Sequence, residues 1–399
     1  MPMLQSAKNY YHLLQAIRAV RKYNRPANSL TVIGVTGTDG KTTTSSLIYH
    51  ILKEAGVKVA LISTVAAYIG DKKYDTGFHV STPDPATLQS YIAKVKKAGM
   101  THLVLEVTSH ALDQHRVHGI SFSIGVLTNI THEHLDYHKT MERYMAAKAK
   151  LFLASRVAIL NRDDNSFSYM RSRLKGKTII SYGLKDTADV NPSNHSFKTS
   201  LIGEFNTYNS LAAFAVADTL QIDPTITRKA IESFKPPEGR VDVVYNEAFK
   251  VIIDFAHTPN GVKNILEAVK SDMKKGKIIH VFGSAGLRDR SKRPLMGKVS
   301  SELADMIILT SEDPRTESPE KIAQEIRMGM PHDRKDVQII TDRQQAITQA
   351  IALADNDDVV LITGKGHEQS MNMGKGEKSW SDYEAVTKAL DAKKGEKHA

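Results

Sequence analysis

The stretch VIGVTGTDGKTTTSS, Val32 to Ser46, decides the fold. LTVIGV reads as a buried strand and TTTSSLIYHILKEAG as a helix. GTDGK, Gly37 to Lys41, lies between them. Glycines let the backbone turn so that successive N–H groups face one anion. The helix N-terminus adds its partial positive charge. Gly37, Thr38, Asp39, Gly40, Lys41, Thr42 and Thr43 are therefore the candidate ATP-binding residues, with Lys41 reaching the β- and γ-phosphates and Thr42 available to Mg²⁺. The spacing departs from the usual G-x-x-x-x-G-K-[ST], because Val35 occupies the position of the first glycine.

Working outward, short β-branched runs alternate with amphipathic stretches, the rhythm of a parallel sheet flanked by helices. Expected strands are Leu30–Val35, Lys58–Ser63, His102–Val107, Ile124–Asn129 and Val157–Asn161, followed by helix from about Thr199 to Phe234. KPPEGR, Lys235 to Arg240, breaks the pattern, and a second α/β series follows: Val251–Phe255, Ile278–Phe282, Met306–Thr310, Val337–Thr341 and Val359–Thr363. The expectation is an N-terminal helical appendage (1–29), a P-loop parallel-sheet ATPase domain (30–236) and a C-terminal Rossmann-like α/β domain (237–399). In the appendage Leu13, Leu14, Ile17 and Val20 fall at helical spacing, which reads as a helix packed on the next domain. DAKKGEKHA at the other end reads as a frayed, solvated terminus.

The formal net charge of +10 suits an enzyme of anionic ligands. Nucleic acid is not an expected partner, because basic residues are not interleaved with aromatics. The chain has no cysteine, which excludes disulfides and thiol catalysis and fits a reducing, cytoplasmic location. No apolar run is long enough to span a membrane.

Glu106 ends the strand THLVLEV, at the edge where ligands gather in such sheets. TNITHEHLDYH, Thr128 to His138, brings three histidines and two acids after the next strand. His134 and His138 alone could suggest zinc, but no third ligand has a clear spacing. The strings EVTSHALDQHRVHG and LTNITHEHLDYHKTMERYMAAKAKLF, with the G-x-x-G-T-x-G-K-T loop, closely resemble the Mur ligases. Within that family they resemble the branch that adds the third residue of the peptidoglycan stem peptide.

The resemblance implies roles for particular residues. Glu106 and His134 fall on Mg²⁺-ligand positions. Lys148 falls on a lysine that is carbamylated, so that a cation becomes an anion able to hold a second Mg²⁺. With Lys41, these are the expected catalytic residues, and Thr42 joins Glu106, His134 and Lys148 as metal ligands. Ser81, Thr82, Thr108 and Arg116 fall on positions contacting the nucleotide-sugar peptide. Thr108 is a serine in many relatives.

In the second half, GEFNTYNSLAA places Asn209 near the adenine. PPEGRVD places Arg240 on the family's hinge arginine, and IIDFAHTPNGV brings Asp254 and His257 to the nucleotide edge. GSAGLRDRSKRPLMG reads as a glycine turn with cations that close over the γ-phosphate. TSEDPRTESP carries specificity. Relatives that add meso-diaminopimelate have Asp-Asn-Pro-Arg where this chain has Glu312-Asp313-Pro314-Arg315. Arg315 can hold a distal carboxylate bidentately. Asp313 replaces an amide and would repel that carboxylate while attracting an ammonium. Gly364 and Glu368, in ITGKGHE, match positions that hold the ammonium end of the amino acid.

The implied activity is ATP-dependent amide-bond formation through an acyl phosphate, in peptidoglycan synthesis. It adds meso-diaminopimelate, or alternatively L-lysine or ornithine, to the D-glutamate of a UDP-MurNAc-dipeptide. The usual member of the family carries a further N-terminal domain for the uridine nucleotide. Here only the Leu4–Val20 helix precedes the loop, so a partner protein replacing that domain is one expectation. Rival readings are an acceptor like that of the related folylpolyglutamate synthases, or a nucleotide-binding subunit of a larger complex.

Overall fold

The computed structural model of the chain describes residues 2–74 and 82–396. Two compact units emerge. Unit 1 gathers the chain up to Thr131 with His138–Leu201 and Phe205–Lys235. Unit 2 holds His132–Tyr137, Ile202–Glu204 and the chain from Pro236 onward.

Unit 1 is built on an eight-stranded sheet. Its strands are β1 (Thr31–Thr36), β2 (Val59–Ile62), β3 (Ala67–Ile69), β4 (Lys72–Tyr74), β5 (His102–Glu106), β6 (Phe122–Leu127), β7 (Ser155–Asn161) and β8 (Thr178–Tyr182). Their order is β4-β3-β2-β5-β1-β6-β7-β8. All neighbours pair in parallel except β2–β3 and β3–β4. β1 is central, and its alternation decides both faces: Val32 enters one apolar core, Ile33 and Val35 the other. A strand buried on both sides needs such a continuous apolar run. β3, β4 and β8 were not expected, because they are short or lie at the sheet's margins.

The helix Pro2–Lys22 packs on the helix Pro85–Lys97. From Lys8 onward its buried positions are Ala16, Ala19 and Val20, whereas Leu14 is 38% exposed. Small residues allow the close approach, so the contact lies to one side of the leucine stripe read from the sequence. Gly119 meets it there, since a Cβ at Gly119 would lie 2.7 Å from Val20 Cγ2.

Unit 2 has a six-stranded sheet of β9 (Asp242–Asn246), β10 (Lys250–Asp254), β11 (Ile278–Phe282), β12 (Met306–Leu309), β13 (Val337–Ile339) and β14 (Val359–Thr363). The order is β13-β12-β11-β14-β10-β9, with only β9 antiparallel. A separate ribbon pairs β15 (Ser370–Asn372) with β16 (Glu377–Ser379). The C-terminal residues expected to fray are instead helical as far as Glu396, the end of the helix Asp382–Glu396. Among the described residues, no helix is long and apolar enough to cross a membrane.

Candidate active site

In unit 1 the register sets Val35 of β1 beside Glu106 of β5, and Thr36 beside Leu127 of β6. The segments that leave these strands therefore meet at one edge. After Thr36 the backbone turns through Gly37–Gly40 into the helix Lys41–Glu54. Gly40 has φ 80°, and a Cβ there would lie 2.5 Å from Asn209 Oδ1. Asn209 thus sits against the loop: its Oδ1 accepts from Thr44 Oγ1 at 3.0 Å and its Nδ2 donates to Asn206 Oδ1 at 3.0 Å.

The loop is latched by the segment after β6. Thr38 N donates to Asn129 O at 2.9 Å, and Asp39 N donates to Asn129 Oδ1 at 3.0 Å. Thr128 Oγ1 donates to Asp39 O at 2.6 Å, and Thr131 N donates to Thr38 Oγ1 at 2.9 Å. Lys41 Nζ donates to Thr38 O at 2.8 Å, which folds the ammonium over the loop. Thr43 is buried in the helix's first turn.

The Glu106 carboxylate is 1% exposed. Its Oε2 accepts from Thr42 Oγ1 at 3.0 Å and from Thr64 N at 3.2 Å, and its Oε1 accepts from Thr64 Oγ1 at 2.8 Å. Next to it, buried Thr82 donates through Oγ1 to Glu106 O at 3.0 Å and accepts from Thr108 N at 3.1 Å. Thr108 caps the helix Ser109–Asp113, and Arg116 Nη1 donates to Thr82 O at 2.8 Å. Thr82, Thr108 and Arg116 are therefore brought together with Glu106, whereas Ser81 lies outside the described residues.

Lys148, on the helix Met141–Leu153, is 1% exposed. Its Nζ donates to Gly37 O at 2.6 Å and lies 4.6 Å from the centre of the Tyr144 ring. Burial, and then the Lys41 ammonium, push its pKa well below the usual lysine value. Tyr144 Oη is 3.1 Å from Thr38 Oγ1, so one aromatic joins loop and lysine. His138 is buried, with Nε2 3.0 Å from Ser109 Oγ, and desolvation lowers its pKa to about 4. It is a neutral packing residue. His134 lies in the His132–Tyr137 segment that groups with unit 2. It adopts φ 58°, and its Nδ1 is 3.9 Å from Glu133 Oε1.

These donors suit Mg²⁺. The ion prefers hard oxygens and takes one or two carboxylates plus substrate phosphates. Thr42 and Glu106 provide a hydroxyl and a carboxylate already in contact. Among the described residues, no group of three or more His, Cys, Asp or Glu side chains stands together as a metal centre.

In unit 2, Asp254 at the end of β10 accepts from Val241 N at 2.8 Å and Ala256 N at 2.7 Å. This ties the Arg240 turn to the His257 turn. The Arg240 guanidinium lies 4.4 Å from the Phe255 ring centre, and His257 Nδ1 is 2.9 Å from Phe255 O. After β12 the chain makes the Glu312–Arg315 turn, with Arg315 at φ 53° and its Nη1 donating to Gly286 O at 2.8 Å. After β14 comes Gly364, where a Cβ would lie 2.7 Å from Glu312 Oε2. Its missing side chain therefore makes room for a buried carboxyl. Asp313 and Glu368 both contact Lys365, at 2.9 and 2.5 Å.

Two features depart from the sequence reading. Arg293, read as a cation for the γ-phosphate, is fully buried. It is paired with Glu317 at 2.9 Å and Glu325 at 2.7 Å. Arg290 also pairs with Glu325. These cations fasten the helix Lys292–Leu303 rather than stand ready for ligand. Conversely the sequence pattern does not single out Thr64, Tyr144 or Lys365. Lys365 had a signal, since it lies inside the GKGHE string whose glycine and glutamate were singled out.

A model of the Mur ligase middle domain matches residues 35–217, and one of the Mur ligase glutamate ligase domain matches residues 239–366. With both domains matched, the chain belongs to the Mur ligase family, ATP- and magnesium-dependent enzymes that form amide bonds and release ADP. In particular it is 42% identical over 386 residues to the UDP-N-acetylmuramoyl-L-alanyl-D-glutamate–2,6-diaminopimelate ligase of Aquifex aeolicus, a match that spans 92% of this chain and 79% of that one. A solved structure of a ligase of the same name superposes with TM-score 0.62 at 30% identity, covering 96% of this chain and 82% of its own. A Mycobacterium tuberculosis folylpolyglutamate synthase, at TM-score 0.69 and 17% identity over 88% of this chain and 92% of its own, shares the fold alone.

Proposed function

We propose that this ligase adds a diamino acid, meso-diaminopimelate before L-lysine or ornithine, to the D-glutamate carboxylate of UDP-N-acetylmuramoyl-L-alanyl-D-glutamate. The observation that carries this choice is the pairing of Asp313 with Lys365. The aspartate's charge is already offset, so it does not repel a substrate carboxylate as a free one would. Arg315 then remains the group for the distal carboxylate, since a bidentate guanidinium fits it. Gly364 and Glu368 serve the ammonium end.

The reaction moves the γ-phosphoryl group of ATP to the acceptor carboxylate, giving an acyl phosphate and ADP. The amino group of the incoming diamino acid attacks the acyl carbon. The carbon–oxygen bond to phosphate breaks, and the amine's proton is lost as the amide forms. Lys41 and the N-terminus of the helix Lys41–Glu54 neutralise the triphosphate, the Thr38 and Asp39 amides being held by Asn129. Asn209 in unit 1, and Arg240, Asp254 and His257 in unit 2, are each assigned to the nucleoside. Thr82, Thr108 and Arg116, with Ser81, hold the acceptor peptide.

Thr42, Glu106 and His134 would hold Mg²⁺, which supplies charge neutralisation for the transferring phosphoryl group. Lys148 is suited to carbamylation, because burial and the Lys41 ammonium depress its pKa and so raise the share of neutral amine, the form that reacts with carbon dioxide. As a carbamate it would offer oxygens to a second Mg²⁺ in place of the Gly37 contact.

The test is phosphate release with ATP, Mg²⁺ and the UDP-linked dipeptide, adding meso-diaminopimelate, L-lysine or L-ornithine in turn. Release is expected with meso-diaminopimelate foremost. Release only with a folate acceptor and glutamate would overturn the reading.

A further inference from the structure

Lys365 has no exposed surface. Its Nζ donates to Asp313 Oδ1 at 2.9 Å and to Glu368 Oε2 at 2.5 Å. Burial alone would lower its pKa, but the Glu368 and Asp313 carboxylates more than offset this and raise it, so the ammonium stays charged. Asp313 follows β12 and Glu368 follows β14, strands that β11 separates in the sheet. One cation therefore fastens together the two turns that carry Arg315 and Gly364. The ribbon completes the frame: Asp313 Oδ1 also accepts from Asn372 N at 3.1 Å, and Arg315 N donates to Asn372 O at 2.9 Å.

We infer that Lys365 is a positioning residue that sets amino-acid specificity, by cancelling one of two carboxylate charges beside the pocket so that a diamino acid with a distal carboxylate is accepted there. This rests on the function proposed above. Asp313, Lys365 and Glu368 together carry one net negative charge. Removing the lysine's charge leaves two, which disfavours a substrate carboxylate. Removing the aspartate's leaves none, which favours it. Lys292 and Arg343 keep their charges in either case, whereas Glu312, raised to about 7 by burial, takes up more proton when Lys365 is lost and releases it when the Asp313 charge is lost, which dampens each change without reversing it. Asp313→Asn suits the test because the Lys365 and Asn372 bonds fall on Oδ1, which an amide retains.

The experiment measures phosphate release and compares kcat/KM for meso-diaminopimelate with that for L-lysine. It uses the wild type, Asp313→Asn, Lys365→Met and the double variant. The ratio should rise about tenfold in Asp313→Asn and fall about tenfold in Lys365→Met, since a like charge brought beside a substrate group costs several kcal/mol at most. It should return near the wild-type value in the double variant, with the KM for ATP unchanged throughout. A ratio that stays constant while both substrates weaken together would mean a merely structural role and overturn the inference. If Lys365→Met does not fold, Asp313→Asn decides alone: an unchanged or lowered ratio overturns it. Wild-type protein that uses neither amino acid would bring down the proposed function and this inference with it. Wild type that uses meso-diaminopimelate with an unmoved ratio brings down this inference only.

Discussion

Lys148 in unit 1 and Lys365 in unit 2 are both buried, and the two are opposites. Lys148 in unit 1 meets a carbonyl oxygen and an aromatic ring, and its pKa is driven down. Lys365 in unit 2 meets two carboxylates, and its pKa is driven up. Burial is equal, so the partner decides the chemistry. An amine whose nearest contacts are uncharged gives up its proton more readily, against the weaker pull of Asp39 and Asp164. An ammonium between two carboxylates is a fixed clamp.

The largest effect that tests this contrast is Lys148→Met. It should lower kcat for phosphate release by about 10²–10³-fold, the scale of losing a positioned electrostatic group. Thermal stability should not fall, because a buried amine is exchanged for an apolar chain of similar length. Full activity in this variant would end the comparison. Lys365→Met should behave the other way in stability. It strands two carboxylates and should destabilise unit 2 by about 3 kcal/mol in urea unfolding. An unchanged midpoint would show that the clamp does not hold the fold.

A smaller effect concerns Glu312, the acidic counterpart of Lys148. It is 7% exposed, and its Oε2 has no hydrogen-bond partner. Desolvation raises its pKa to about 7, against the opposing fields of Lys292, Arg343 and Lys365. The folded state therefore holds this proton to higher pH than the unfolded state does. Stability relative to Glu312→Gln is greatest below about pH 4.5, falls as pH rises through about 7, and is flat above. The difference in melting temperature between the two proteins should change by several degrees across that window. A constant difference would place the carboxyl in a more polar setting than its burial implies.

The phosphate loop, Glu106 and the two α/β series were legible because each follows from local pattern: glycines after a strand, an acid at a strand's end, β-branched runs in rhythm. β3, β4 and the β15–β16 ribbon were not, since strands of three residues carry too few positions for alternation to stand out. The roles of Arg293 and Lys365 were not legible either. Their partners, Glu317, Glu325 and Asp313, come from other turns of the chain, and only the sheet order brings them near. A basic residue in a glycine-rich string looks the same whether it awaits a phosphate or already holds a carboxylate. Lys148 would have read as an ordinary surface lysine but for the family resemblance, and its burial is a tertiary fact.

The amides of Thr38 and Asp39 are already bound to Asn129, and the Thr38 and Thr128 hydroxyls tie the same turn. The loop's conformational entropy is thus surrendered when the chain folds rather than when ATP arrives. Nucleotide association needs little further ordering of this segment, so more of the contact energy is realised as affinity.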